Sequence, residues 1–171
     1  MDLEKTGIPG LDDILKGGLR KNISILLKGP PGTGKTIFSL QFIYAGLLQN
    51  QGCVFITAEE DLEDLRNYAK NLGMDLQKYE KKKLLYLVKQ SVTLKKLISI
   101  AIPLDIISTG KIKRVVLDSL TLFKYGTNDE MSYRKEILDL MVSMRNVLFL
   151  ATAEEKKEGL EHIDLAPEDY L

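Results

Sequence analysis

The sequence predicts an α/β protein built on a mainly parallel sheet with helices on both faces. Three observations carry that prediction. Short apolar runs alternate with longer segments of helical period, the pattern of strands buried between layers of helices. A β-rich run, Ile23 to Leu27, ends in a Gly/Pro-rich turn and leads into an apolar segment long enough for four helical turns. The composition, 44% apolar and 28% charged, is that of a chain that buries a core rather than one that stays disordered.

Ile23 to Leu27 is the first core strand, and Lys35 to Gln49 is the helix that follows it. Ile37, Phe38, Leu40, Phe42, Ile43, Tyr44, Leu47 and Leu48 surround this helix almost completely, so it is expected at the centre, covered on all sides. Val54 to Thr57 is the second strand. Asp61 to Leu72 is an amphipathic helix with Leu62, Leu65, Tyr68, Ala69 and Leu72 on its inward face, and Gly73 stops it. Lys81 to Lys83 is a solvated surface turn, and Leu84 to Val88 is the third strand. Thr93 to Ser108 has a helical period, with Pro103 inside it to kink or divide it. Arg114 to Asp118 is the fourth strand. Glu130 to Arg145 is a helix with Tyr133, Ile137, Leu140, Met141 and Met144 inward, and Val147 to Thr152 is the fifth strand. No repeat, linker or low-complexity tract divides the chain. Its 171 residues suit a single domain, with a lead-in over 1–22, a core over 23–154 and a polar tail over 155–171.

Charge and cysteine usage exclude several function classes. Lys plus Arg and Asp plus Glu both number 24, so no overall cationic field holds nucleic acid or an anionic membrane, and DNA is not the expected partner. One cysteine, Cys53, and one histidine, His162, cannot make an internal disulfide or a Cys/His zinc site. Cys53 opens a β-run and reads as a small buried hydrophobe. His162 lies in an acidic tail without a paired serine or cysteine and receives no catalytic role. Met1 is followed by Asp2, Glu4 and Lys5 rather than by a secretory signal, and no apolar run reaches the roughly 18 to 20 residues that span a bilayer. A cytoplasmic protein is expected.

Gly29-Pro30-Pro31-Gly32-Thr33-Gly34-Lys35-Thr36 matches the G-x-x-x-x-G-K-[ST] phosphate-binding loop, with a strand before it and a helix after it, as the mechanism requires. Its glycines let successive backbone N–H groups and the helix N-terminus point at phosphate oxygens, where the helix dipole also favours negative charge. Lys35 adds a cation for the β- and γ-phosphates, and Thr36 offers a hydroxyl to Mg²⁺, which keeps several waters and takes few protein oxygens. Asp118 closes the run Val115-Val116-Leu117 and so emerges at the carboxyl edge of a buried strand, the Walker B position, to support the Mg²⁺ shell. The plainer alternative is an aspartate that caps the following turn with Ser119. Glu59 and Glu60 follow the second strand, and either could accept a proton from the attacking water. Alternatively, both are acids favoured by the dipole of the next helix.

The opening Thr6-Gly7-Ile8-Pro9-Gly10-Leu11-Asp12-Asp13-Ile14-Leu15, then Gly17-Gly18-Leu19, resembles the start of KaiC-like and RadA-like ATPase domains of archaeal or bacterial type. The resemblance continues in Thr57-Ala58-Glu59-Glu60, Leu72-Gly73-Met74-Asp75, Asp118-Ser119-Leu120-Thr121 and Leu150-Ala151-Thr152-Ala153-Glu154, and covers about Thr6 to Glu154. It implies a RecA-like P-loop NTPase fold, with an extra strand inserted between the phosphate-loop strand and the Asp118 strand. It also implies Glu59 and Glu60 as the catalytic pair, and ATP-dependent assembly into hexameric homo-oligomers.

The sequence departs from the family where the turn between Arg145 and Val147 is short, and where the chain stops at Leu171, about where such domains enter their last strands. In the family those strands carry basic residues that reach a neighbouring subunit's nucleotide, so slow turnover is expected here. Val147 to Thr152, without a neighbour to cover it, is further expected to leave a sticky sheet edge that drives self-association. The first expectation for function is a Mg²⁺-dependent ATPase. The second is a nucleotide-dependent module that docks a protein partner with little hydrolysis, and a RadA-like DNA-handling protein is a weaker third.

Overall fold

The computed structural model describes residues 3–21, 23–90, 111–121 and 129–155. A lead-in of β1 (Leu3–Glu4), α1 (Leu11–Ile14) and β2 (Leu19–Arg20) precedes β3 (Ser24–Gly29), α2 (Lys35–Leu48), β4 (Gly52–Thr57) and α3 (Leu62–Asn71). Then come α4 (Leu76–Lys81), β5 (Leu85–Lys89), β6 (Ile112–Asp118), α5 (Glu130–Ser143) and β7 (Leu148–Glu154). The segment Thr93 to Ser108 with its Pro103, and the tail from 156 with His162, lie outside the described residues.

Strands β3, β7, β6, β4 and β5 form, in that order, one five-stranded sheet in which every pairing is parallel. Side chains on a strand alternate between faces, and β4, buried throughout, feeds two cores at once. Cys53 and Phe55 join Leu40, Phe42, Ile43 and Leu47 of α2, Leu65 and Ala69 of α3, and Leu76 and Tyr79 of α4. Val54 and Ile56 join Tyr133, Ile137 and Leu140 of α5 on the opposite face. Each fully buried Leu, Ile or Phe contributes about 1.5–3 kcal/mol, so these two layers carry most of the fold. The helices therefore cover both faces, as the sequence predicts.

One expectation is overturned. The last strand, β7, is not an uncovered edge: it pairs with β3 on one side, Leu26 opposite Ala151, and with β6 on the other, Val116 opposite Leu150. Among the described residues the edges are β3 and β5. Five of the seven residues of β7 are buried because a strand inserted between two others is covered along both sides as well as both faces.

Two local differences have simple causes. Leu76 to Lys81 is helical, so Lys81 ends a helix instead of starting a turn; Asp75 caps it by accepting from Lys78 N–H, and Leu76 and Tyr79 are its buried pair. Lys83, with φ 55°, makes the turn into β5. On α3, Leu65 and Ala69 are fully buried, but Tyr68 and Leu72 are 49% and 47% exposed. The sheet is covered by the middle of that helical stripe, and its flank is left open.

The lead-in is bound to the core by charge and close packing. Arg114, at the start of β6, is 0% exposed and donates to the backbone carbonyls of Lys5 (2.7 Å), Thr6 (3.0 Å) and Phe42 (2.9 Å) and to Gln51 Oε1 (2.8 Å). Burial lowers its pKa, yet a guanidinium stays charged in proteins, and carbonyl dipoles replace its hydration. Asp12 accepts from Thr6 N–H at 2.7 Å and from Thr6 Oγ1 at 2.8 Å. Burial opposes ionisation of Asp12, but the hydrogen bonds from Thr6 and Gly7 outweigh it and hold this carboxyl below its ordinary pKa. Gly7, with φ 77°, lies so close to α2 that a Cβ there would sit 2.1 Å from the Ala45 Cβ.

Candidate nucleotide site

The phosphate loop forms because β3 ends at Gly29 and α2 begins at Lys35, leaving five residues to reverse the chain. Gly32 and Gly34 have φ values of 77° and 87°, which side chains with a Cβ rarely adopt, so the glycines of the motif are those the turn demands. Thr33 Oγ1 donates to Pro30 O at 2.8 Å and braces the loop. Lys35 Nζ curls over the loop, donating to Gly29 O (2.8 Å) and Pro30 O (2.9 Å).

Residues distant in sequence close the site. Thr36 Oγ1 donates to Asp118 Oδ2 at 2.8 Å, and Thr152 Oγ1 donates to Asp118 Oδ1. Asp118, 6% exposed, is thus gripped between α2 and β7, and its backbone carbonyl accepts from Ala58 N–H at 2.9 Å. Ser119 Oγ donates to Glu59 Oε1 at 2.8 Å, and Glu60 N–H donates to Thr57 Oγ1 at 3.0 Å. The sheet order explains this convergence. β4 and β6 are neighbours with Thr57 opposite Asp118, so the glutamates after one strand meet the aspartate and serine that end the other.

These groups surround a cavity of about 520 Å³, within the range of ligand pockets. Pro31, Gly32, Gly34, Lys35 and Thr36 form one wall; Glu59, Glu60, Asp118, Ser119 and Glu154 form a second. The third wall is mostly apolar: Ile37 and Leu40 of α2, with Tyr68 and Asn71 of α3 and its C-cap Leu72. The half-exposed flank of α3 is therefore cavity wall rather than core. Thr36 and Asp118 supply the two hard oxygens, a hydroxyl and a carboxylate, that suit Mg²⁺ beside phosphates. Among the described residues no three His, Cys, Asp or Glu side chains gather to hold a metal by themselves, so phosphates and water would complete such a shell.

Every residue singled out from the sequence, from Gly29 to Thr36 and at Glu59, Glu60 and Asp118, lines or braces this one cavity. Sequence reasoning missed Thr152 and Glu154 of β7 and the wall formed by Tyr68 and Leu72, and it saw in Ser119 only a turn residue. Thr152, Glu154, Leu72 and Ser119 fall in segments that carry the family resemblance, but no local pattern gives their roles, which come from the insertion of β7 beside β3 and from the approach of α3 to α2.

Comparison with known proteins agrees with this fold. The family model described as "ATPase: KaiC" matches residues 4–163. A UPF0273 protein of Methanopyrus kandleri is 47% identical over 83 residues, 48% of this chain and 33% of the relative. A UPF0273 protein of Pyrococcus furiosus is 43% identical over 84 residues, 49% of this chain and 34% of the relative. The matched stretch thus spans about a third of the length of these curated relatives. The crystal structure of a KaiC-like protein from Pyrococcus horikoshii superposes with a TM-score of 0.77 at 31% identity, covering 90% of this chain and 71% of that one. With a RecA-like P-loop fold, a phosphate loop closed by Asp118 and a family match across nearly the whole sequence, the chain belongs to the KaiC family of ATPases.

Proposed function

We propose that the chain binds ATP with Mg²⁺ at the Gly29–Thr36 loop and hydrolyses it. The observation that carries this reading is the 2.8 Å contact between Thr36 Oγ1 and Asp118 Oδ2, which brings two residues far apart in sequence to the place a Mg²⁺–triphosphate would occupy. The loop amides and the α2 N-terminus bind and orient the phosphates. Lys35 turns from the loop carbonyls to the terminal phosphates, and Asp118 with Thr36 holds the metal side. Bound Mg²⁺ supplies neutralisation of charge on the phosphoryl oxygens. A carboxylate of the Glu59–Glu60 pair orients a water for in-line attack and takes its proton as the bond to the leaving diphosphate breaks.

The test is nucleotide turnover measured alongside mass in solution, with and without MgATP. Turnover that requires Mg²⁺ and is lost in Lys35→Ala supports the proposal, and binding without any turnover favours a nucleotide-dependent docking module instead. One feature favours that second reading. Helix α5 buries Tyr133, Ile137 and Leu140 on one face but leaves Met131, Leu138 and Val142 exposed on the other, a stripe for a protein partner or a second copy.

A further inference from the structure

One hydrogen bond distinguishes the two glutamates that follow β4. Glu59 Oε1 accepts from Ser119 Oγ at 2.8 Å. Glu60 is tied through its backbone, by its N–H to Thr57 Oγ1, and among the described residues no side chain donates to its carboxylate. Glu59 is exposed, and a free glutamate in contact with water has three side-chain torsions to order before it can act in one geometry. A donor on a rigid support removes much of that freedom.

Ser119 has such a support. It is 2% exposed and directly follows Asp118, whose carboxylate accepts from Thr36 and Thr152. The next residue, Leu120, donates its N–H to Thr152 O at 2.8 Å. The backbone around Ser119 is thus bonded to β7, and through Asp118 to β4 by Ala58 N–H. Consecutive residues at the end of one strand fix both the metal-side carboxylate and the carboxylate at the water.

We propose that Ser119 is the positioning residue for Glu59, and that Glu59 rather than Glu60 takes the proton of the attacking water. This rests on the ATPase reading above. With Oε1 occupied by Ser119, Oε2 keeps its lone pairs for the water. As the water oxygen bonds to the γ-phosphorus and the bond from that phosphorus to the diphosphate oxygen breaks, one water proton passes to Oε2. A base misplaced by about 1 Å loses on the order of a hundredfold in rate, and a general base contributes about 10²–10⁴-fold.

The experiment compares Ser119→Ala, Ser119→Thr, Glu59→Gln and Glu60→Gln in the full chain, by single-turnover ATP hydrolysis, MgATP binding by calorimetry and thermal unfolding. The proposal expects Ser119→Ala to lower the hydrolysis rate about tenfold to a hundredfold, with MgATP affinity and melting temperature as in the parent. Ser119→Thr, which keeps the hydroxyl, recovers most of the rate wherever it melts like the parent. Glu59→Gln lowers turnover far more than Glu60→Gln does. A parental rate in Ser119→Ala overturns the positioning role, as does a rate loss matched by an equal loss of MgATP affinity. Loss of turnover in Glu60→Gln but not in Glu59→Gln overturns the choice of base. If neither glutamine variant slows hydrolysis, the choice of Glu59 as base is overturned as well, whereas a parent chain that turns over no ATP fails the broader ATPase reading.

Discussion

At the scale of single residues, the proposed function divides the site into groups that bind and groups that act. In it Lys35 supplies the charged side-chain contact to the terminal phosphates, and a hydrogen bond to a charged group is worth about 1.5–3 kcal/mol. Lys35→Ala is therefore expected to weaken ATP binding roughly tenfold to a hundredfold or more by calorimetry, without lowering the melting temperature; equal affinities would end this assignment. Thr36→Ala should act more mildly, as a higher Mg²⁺ requirement. The double change Glu59→Gln with Glu60→Gln should leave binding intact and remove hydrolysis, since glutamine keeps the size but loses the proton acceptor. Away from the site, burial pushes the Cys53 thiol up to about 12. Its folded pKa lies above the unfolded value of 9.0, so the protonated thiol contributes stability that is fully present below about pH 9. That contribution is lost progressively as pH rises through about 12, because only the unfolded chain ionises in between. The urea midpoint of the parent should thus fall toward that of Cys53→Ala between pH 8 and pH 10.5. A constant difference between the two would contradict it.

Among the elements, the lead-in behaves as part of the core rather than as an appendage. Arg114 is its anchor. Replacing Arg114 with Leu leaves the carbonyls of Lys5, Thr6 and Phe42 without their donor and should cost about 3 kcal/mol or more, read as a drop in the urea midpoint with early proteolysis of the first twenty or so residues. Gly7→Ala pushes a methyl into the Ala45 Cβ on α2 and should destabilise by about 1–3 kcal/mol. Ala45→Gly in the same chain removes the clash and should recover part of that loss. The remainder reflects the positive φ of residue 7, which the second change does not relieve. No recovery would show that the close approach of lead-in to helix is not what the glycine serves, and full recovery would show that the positive φ adds nothing to the loss.

For the whole molecule, the sheet order decides which surfaces are sticky. The interior place of β7 removes the edge expected from the sequence, and β3 takes that role among the described residues. Ile25, Leu26 and Leu27 are apolar yet only half-buried, in contrast with β4, where every residue is buried. Among the described residues this strand has one partner, which makes it a site for association, and the family resemblance implies subunit contacts as well. Light scattering is expected to show species above the monomer mass at high concentration with MgATP. A strict monomer under those conditions would rule out both contacts.

The sequence by itself determined the periodic elements and the phosphate loop, because both are local: a strand, a run of glycines and a helix have their signals within about twenty residues. It also put Asp118, Glu59 and Glu60 after apolar strand runs, at the carboxyl edge of the sheet where ligands bind, and left their roles open. It placed β7 in the chain but not in the sheet. Only the tertiary structure decided that Leu148 to Glu154 lies between β3 and β6, that Thr152 grips Asp118, that Ser119 reaches Glu59, and that Tyr68 lines a cavity rather than the core. The physical reason is that strand order and helix approach are set by long-range packing, where two faces must be covered and every buried polar group paired at once. No window of the sequence contains both partners of those contacts.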